Sequence, residues 1–118
     1  MCIPSEPTTA GSLGLEVVAE LHGDSHFDVS IRRCAACGQQ FVWVFTETID
    51  WDRGEDPQCK TVMPLTADEA KRAIARGVPD YDELERLAAT RRFLRDDWPS
   101  SGARTCEYTT GILIGIHA

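Results

Sequence analysis

The sequence predicts an α+β fold: an antiparallel sheet of about four strands with two helices on one face. Three observations lead there. Apolar and polar residues alternate between Leu13 and Arg32, the period-2 signature of strands buried on one side. Two later stretches open on paired capping residues and continue at helical spacing. Alternation then returns over residues 105–116.

Each element follows in chain order. Residues 1–12 are polar and rich in Pro, Gly, Ser and Thr, which reads as a flexible tail. Residues 13–118 are then a single domain, long enough to bury a core without covalent staples. Leu13, Leu15, Val17, Ala19 and Leu21 mark a first half-buried strand, and His22-Gly23-Asp24-Ser25 a tight turn. Phe27, Val29 and Ile31 alternate with Asp28, Ser30 and Arg32 as a second strand. Cys34-Ala35-Ala36-Cys37-Gly38 interrupts the pattern. Phe41-Val42-Trp43-Val44-Phe45 follows without alternation. A strand apolar on both faces belongs inside its sheet, so the three strands read as an antiparallel meander.

Asp50 to Gln58 reads as an acidic loop. Thr66 and Glu69 form a capping box, in which each side chain covers a free backbone donor, and Leu65 can staple onto Ala70. Gly77, with Pro79 just beyond, is a natural helix stop. Asp80 and Glu83 open the second helix in the same way. Tyr81, Leu84, Leu87, Ala88, Arg91, Leu94 and Trp98 trace one face at helical spacing. Arg91, Arg92 and Arg95 suit a C-terminal helix end, where positive charge is favoured. Pro99-Ser100-Ser101-Gly102 ends that helix. Cys106, Tyr108, Thr110, Ile112, Ile114 and Ile116 line one face of a last strand, which joins the sheet.

The formal net charge is −7. Its source is the first half, where Glu6, Glu16, Glu20, Asp24, Asp28, Glu47, Asp50, Asp52, Glu55 and Asp56 face only Arg32, Arg33 and Arg53. Such a surface repels phosphate backbones, so no non-specific nucleic-acid binding is expected. It suits a basic protein partner instead. The start of the chain shows no signal-peptide pattern, and no apolar run approaches the ~20 residues of a membrane helix. Five cysteines, an odd number, with no secretion signal favour a reducing, cytoplasmic setting. There, clustered cysteines point to metal or redox chemistry.

Cys34 and Cys37 are the sharpest functional signal. Two thiolates three residues apart can hold one ion, and Gly38 permits the positive φ such a turn often needs. The stretch Cys34 to Phe41 resembles the cysteine knuckle of zinc ribbons and rubredoxin-like sites. That resemblance implies a structural zinc ion on Cys34 and Cys37. It departs from those sites in having no second Cys-x-x-Cys, although structural zinc takes four ligands. The other ligands would come from Cys59, Cys2, Cys106 or a histidine. Cys59 is the best placed, because the loop before it is long enough to return. His22 and His26 should lie at the far end of the sheet, since eight residues of strand span about 26 Å.

The segment Phe45-x-Glu47-x-x-Asp50-Trp51-x-x-Gly54-x-Asp56-x-Gln58 resembles part of some small bacterial proteins, and that likeness implies no activity and no functional residue. The acidic loop lacks the order of an EF-hand, and no nucleophile elbow, phosphate loop or dinucleotide fingerprint is present. The reading that follows is a small binding or regulatory module with a structural zinc knuckle, rather than an enzyme. The alternatives are a zinc-ribbon-like nucleic-acid accessory protein using Arg32, Arg33 and the Arg91, Arg92 and Arg95 cluster, or a small thiol oxidoreductase.

Overall fold

The uninterrupted apolar run Phe41–Phe45 lies inside a six-stranded antiparallel sheet. The computed structural model describes residues 4–47, 57–99 and 103–114. Its strands are β1 (Leu15–Gly23), β2 (Phe27–Cys34), β3 (Gln40–Glu47), β4 (Gln58–Leu65), β5 (Phe93–Trp98) and β6 (Thr105–Thr109), paired in chain order. Two helices, α1 (Ala67–Arg76) and α2 (Tyr81–Ala88), are inserted between β4 and β5. The class is the one expected, and the meander β1–β2–β3 forms as read. The sheet has six strands rather than about four.

Because side chains alternate across a strand, β3 serves two cores. Val42 and Val44 point toward the helices, with Val29, Ile31, Met63 and Phe93. Phe41 and Trp43 point to the other side, with Val62 and Leu94. A 3-10 turn at Ala10–Leu13 covers that second side, and Ala10 is fully buried there. The stretch read as a flexible tail is therefore anchored at its end.

The two extra strands have specific causes. Phe93 and Leu94 are consecutive and both buried, one in each core. Only a strand within a sheet covered on both sides can do that. So α2 stops at Ala88, and Leu94 and Trp98, placed on its face by helical spacing, belong to β5. The N–H groups of Thr90 and Arg91 close the end of α2 onto the Leu87 carbonyl. In β4, Pro64 pairs with Phe41 on one side, but the pairing with β5 ends at Val62. Pro64 thus occupies a stretch where the strand has a neighbour on one side only, as proline requires. The last strand ends at Thr109, short of the expected span. The acidic stretch Asp50–Asp56, Cys2 and Ile116 lie outside the described residues.

The helix signals hold. The Thr66 hydroxyl accepts from Glu69 N–H, and Glu69 Oε1 accepts from Thr66 N–H at 2.8 Å. Asp80 accepts from Glu83 N–H, and Gly77 closes α1 at φ 76°. Glu69 also receives two bonds from Arg91, at 2.6 and 3.0 Å, while Arg91 donates to the Pro64 carbonyl. This fork ties the start of α1 to the chain leaving α2. Beyond β6, Gly111 N–H donates to the Ala88 carbonyl, Leu113 N–H to Glu85, and Thr61 to the Leu113 carbonyl. Leu113 is fully buried in the helix-side core.

The opposite face has its own clasp. Asp96 is 2% exposed. Its carboxylate accepts from Ala10 N–H at 2.9 Å and from the Arg104 fork at 2.8 and 2.7 Å. Burial pushes the Asp96 carboxyl pKa up, but the bonds from Arg104 and Ala10 outweigh it and hold it below the ordinary value.

Arg104→Met strands a buried carboxylate, and should cost about 3 kcal/mol, the lower end for a broken buried pair because Arg104 is partly exposed. Urea unfolding measures it, and a loss below about 0.5 kcal/mol would mean that the clasp contributes nothing. For Glu69, the Arg91 bonds lower the pKa to about 2 from an ordinary 4.5. A depressed carboxylate stabilises the fold above its unfolded pKa and loses that contribution as pH falls toward its folded value. Stability should therefore decline between pH 4.5 and 2, and Glu69→Gln should flatten that part of the profile.

Candidate functional site

The turn between β2 and β3 carries Cys34 and Cys37. Cys34 N–H donates to the Gln39 carbonyl at 2.9 Å, and Gly38 N–H donates back to the Cys34 carbonyl at 2.8 Å. Gly38 adopts φ 77°, the left-handed conformation expected of it. Cys34 is half-buried against the core containing Phe41 and Trp43 and carries a free thiol. Cys37 is disulfide-bonded. Gln39 holds the base of the turn by donating to the Gln40 and Leu65 carbonyls.

Cys59 does not join this turn. It pairs with Thr46, whereas the turn lies beyond Gln40 on the same strand. Six residues of strand amount to about 20 Å. Cys59 also points to the helix side, in step with Thr61 and Met63, whereas Cys34 faces the other core. β4 begins at Gln58 and pairs with the far end of β3, so Cys59 is held away from the turn. Burial, opposed in part by Arg95, pushes the Cys59 thiol up to about 11. At neutral pH it is a protonated core group and not a thiolate.

Cys106 sits on the face opposite to Cys59, beside Asp96, and burial together with that carboxylate raises its pKa. The expected separation of His26 from Cys34 is met, since β2 runs unbroken between them. Among the described residues, no group of three or more His, Cys, Asp or Glu side chains is arranged to hold a metal ion.

One polar constellation was not anticipated. His26 Nδ1 lies 3.0 Å from Glu47 Oε1, and Gln58 donates to Glu47 Oε2 at 2.8 Å. These residues are 21 and 11 positions apart, and only the β2–β3–β4 register brings them together. No local sequence pattern signals such a cluster.

The basic residues are dispersed. Arg91 is engaged by Glu69, Arg92 lies over the Tyr108 ring, and Arg95 contacts Cys59. Arg32 stacks on Trp43 at 3.8 Å, and Arg33 faces Glu16. These five arginines do not form one patch.

The acidic residues are less scattered. β1 is an edge strand, pairing among the described residues only with β2. It has no Lys or Arg and carries Glu16 and Glu20, with Asp24 in the following turn. Val17 and Val18 stand 55% and 43% exposed between them. Register shifts at Val17/Ala19 and Glu20/His22 mark two bulges.

No described helix is long and apolar enough to cross a membrane. Comparison with protein-family models, with curated proteins and with solved structures finds no match for this chain.

Proposed function

We propose that this chain is a binding module that engages a basic protein partner along β1. The observation that supports this reading is an open sheet edge that combines exposed valines with acids on a strand bearing no Lys or Arg of its own. An open edge offers backbone donors and acceptors to an added strand. Self-pairing is disfavoured, because two copies would bring Glu16 and Glu20 against their own kind, and like charges across a strand pair repel. A partner strand bearing lysine or arginine meets neither the repulsion nor an uncompensated charge.

A model peptide tests this. An alternating Lys-Val octapeptide should bind the full chain, and roughly tenfold more weakly at high salt, as complementary charge predicts. Glu16→Lys with Glu20→Lys should abolish binding, and a Glu-Val octapeptide should not bind at all. Binding unchanged by the double variant would sink the reading. Equal binding of duplex DNA would move the assignment to nucleic acid.

A second reading concerns the cysteine turn. The backbone bonds from Gly38 N–H to the Cys34 carbonyl and from Cys34 N–H to the Gln39 carbonyl favour it, because they hold both cysteines on one tight turn. In this reading the reduced pair takes zinc, with the remaining positions open to solvent. Thiolates must be free to bind metal, so uptake should require reductant. Reduced protein should acquire one zinc ion per chain by elemental analysis, and Cys34→Ser should abolish it. Protein that takes no zinc after reduction, or variant protein that takes as much, rules the metal out.

A further inference from the structure

The two helices do not seal the sheet. A pocket of about 230 Å³ opens between α1, α2 and the strands beneath them. Leu21 and Leu65 from the sheet and Ala73, Leu84 and Leu87 from the helices form its walls. Arg72 and Arg76, one turn apart on α1, stand at its mouth with Glu69, Asp80 and Glu83.

The mouth carries three carboxylates as well as two guanidiniums. Glu69 is already occupied by Arg91 and the Thr66 N–H. Asp80 caps α2 through Glu83 N–H. Glu83 is shared by Arg72 and Arg86, at 3.5 and 3.7 Å. Arg72 and Arg76, in contrast, each make one long contact, 3.5 Å to Glu83 and 3.8 Å to Asp80, and their side chains are mostly exposed. A guanidinium has five N–H donors, so most of the donors at the mouth lack an acceptor within the described residues. Apolar walls below and spare donors above are what an amphipathic anion needs.

We infer that this pocket binds a small amphipathic carboxylate, with its hydrocarbon chain between the helices and the sheet and its head group on Arg72 and Arg76. The volume sets the size. A pocket of this size takes a short hydrocarbon chain with its carboxylate at the rim. A guanidinium fork matches a carboxylate with two parallel bonds, and the two arginines one turn apart can reach it together. This assignment does not rest on the reading of β1 as a partner edge.

Titration of the full chain with octanoate, followed by calorimetry, tests it. Saturable binding near one per chain is expected, with octanol at least tenfold weaker because it lacks the charge. Arg72→Gln with Arg76→Gln lies on an exposed surface, should leave the fold intact, and should weaken octanoate at least tenfold. Ala73→Phe fills the pocket and should remove binding of both ligands in protein whose circular dichroism is unchanged. Absence of saturable octanoate binding overturns the proposal. So does binding that the double arginine variant leaves unchanged, or octanol that binds as tightly as octanoate. If Ala73→Phe does not fold, the arginine variant and the octanol comparison still decide.

Discussion

Phe41, Val42, Trp43 and Val44 point alternately to the two sides of the sheet, and all four are buried. Neither side can then be left to water, because each of these side chains loses on the order of 2 kcal/mol when exposed. The rest of the architecture answers that requirement. The helices cover one side, and the segment around Ala10 covers the other. The two covers are fastened differently. The helical layer is held by apolar contacts and by the Glu69–Arg91 fork. The N-terminal cover is thin, and depends on Asp96 to hold Ala10 against the sheet.

Two ion pairs fasten these covers. Asp96 and Arg104 close one face, and Glu69 and Arg91 close the other. A carboxylate can be buried at such a point because its lone pairs are filled by fixed donors. The arginines that look like one cluster in the sequence divide between these tasks. Arg91 goes to the helix layer, Arg92 to the ring of Tyr108 on the opposite face, and Arg95 to Cys59. Arg91 and Arg92 lie on the chain between α2 and β5, and only Arg95 lies in the strand itself.

What was legible in the sequence was what local chemistry decides. Thr66, Glu69, Gly77 and Asp80 each announce a helix boundary through bonds made within a few residues. The alternation in β1 and β2 and the unbroken apolar run of β3 announce their strands in the same way. β5 was hidden because Leu87, Arg91, Leu94 and Trp98 happen to fall at helical spacing, and because Arg95 and Asp96 look like surface residues. Their partners, Cys59 and Arg104, are settled by tertiary pairing. β4 was hidden by Pro64, whose tolerance depends on where β5 begins. The placement of Cys59 failed for a related reason. Loop length said that the chain could return to the cysteine turn, but the pairing of β4 with β3 fixed it at the other end. The pocket beneath the helices has no sequence signal, because it is a property of how short helices span a wide sheet.

Leu113 closes the helix-side core and is bonded through its backbone to Thr61 and Glu85. This has a consequence for synthesis. A chain emerging from the ribosome completes β1 to β3 long before residue 113 exists. At roughly 5–20 residues/s, the delay is several seconds. Through that interval the nascent meander can form its local pairings, but neither of its apolar sides is covered in the native way, because Ala10 awaits Asp96 as well. Contacts this distant in sequence also slow folding. The protein is thus most exposed to aggregation while it is being made, and its first three strands are the segment that a ribosome-bound chaperone would shield.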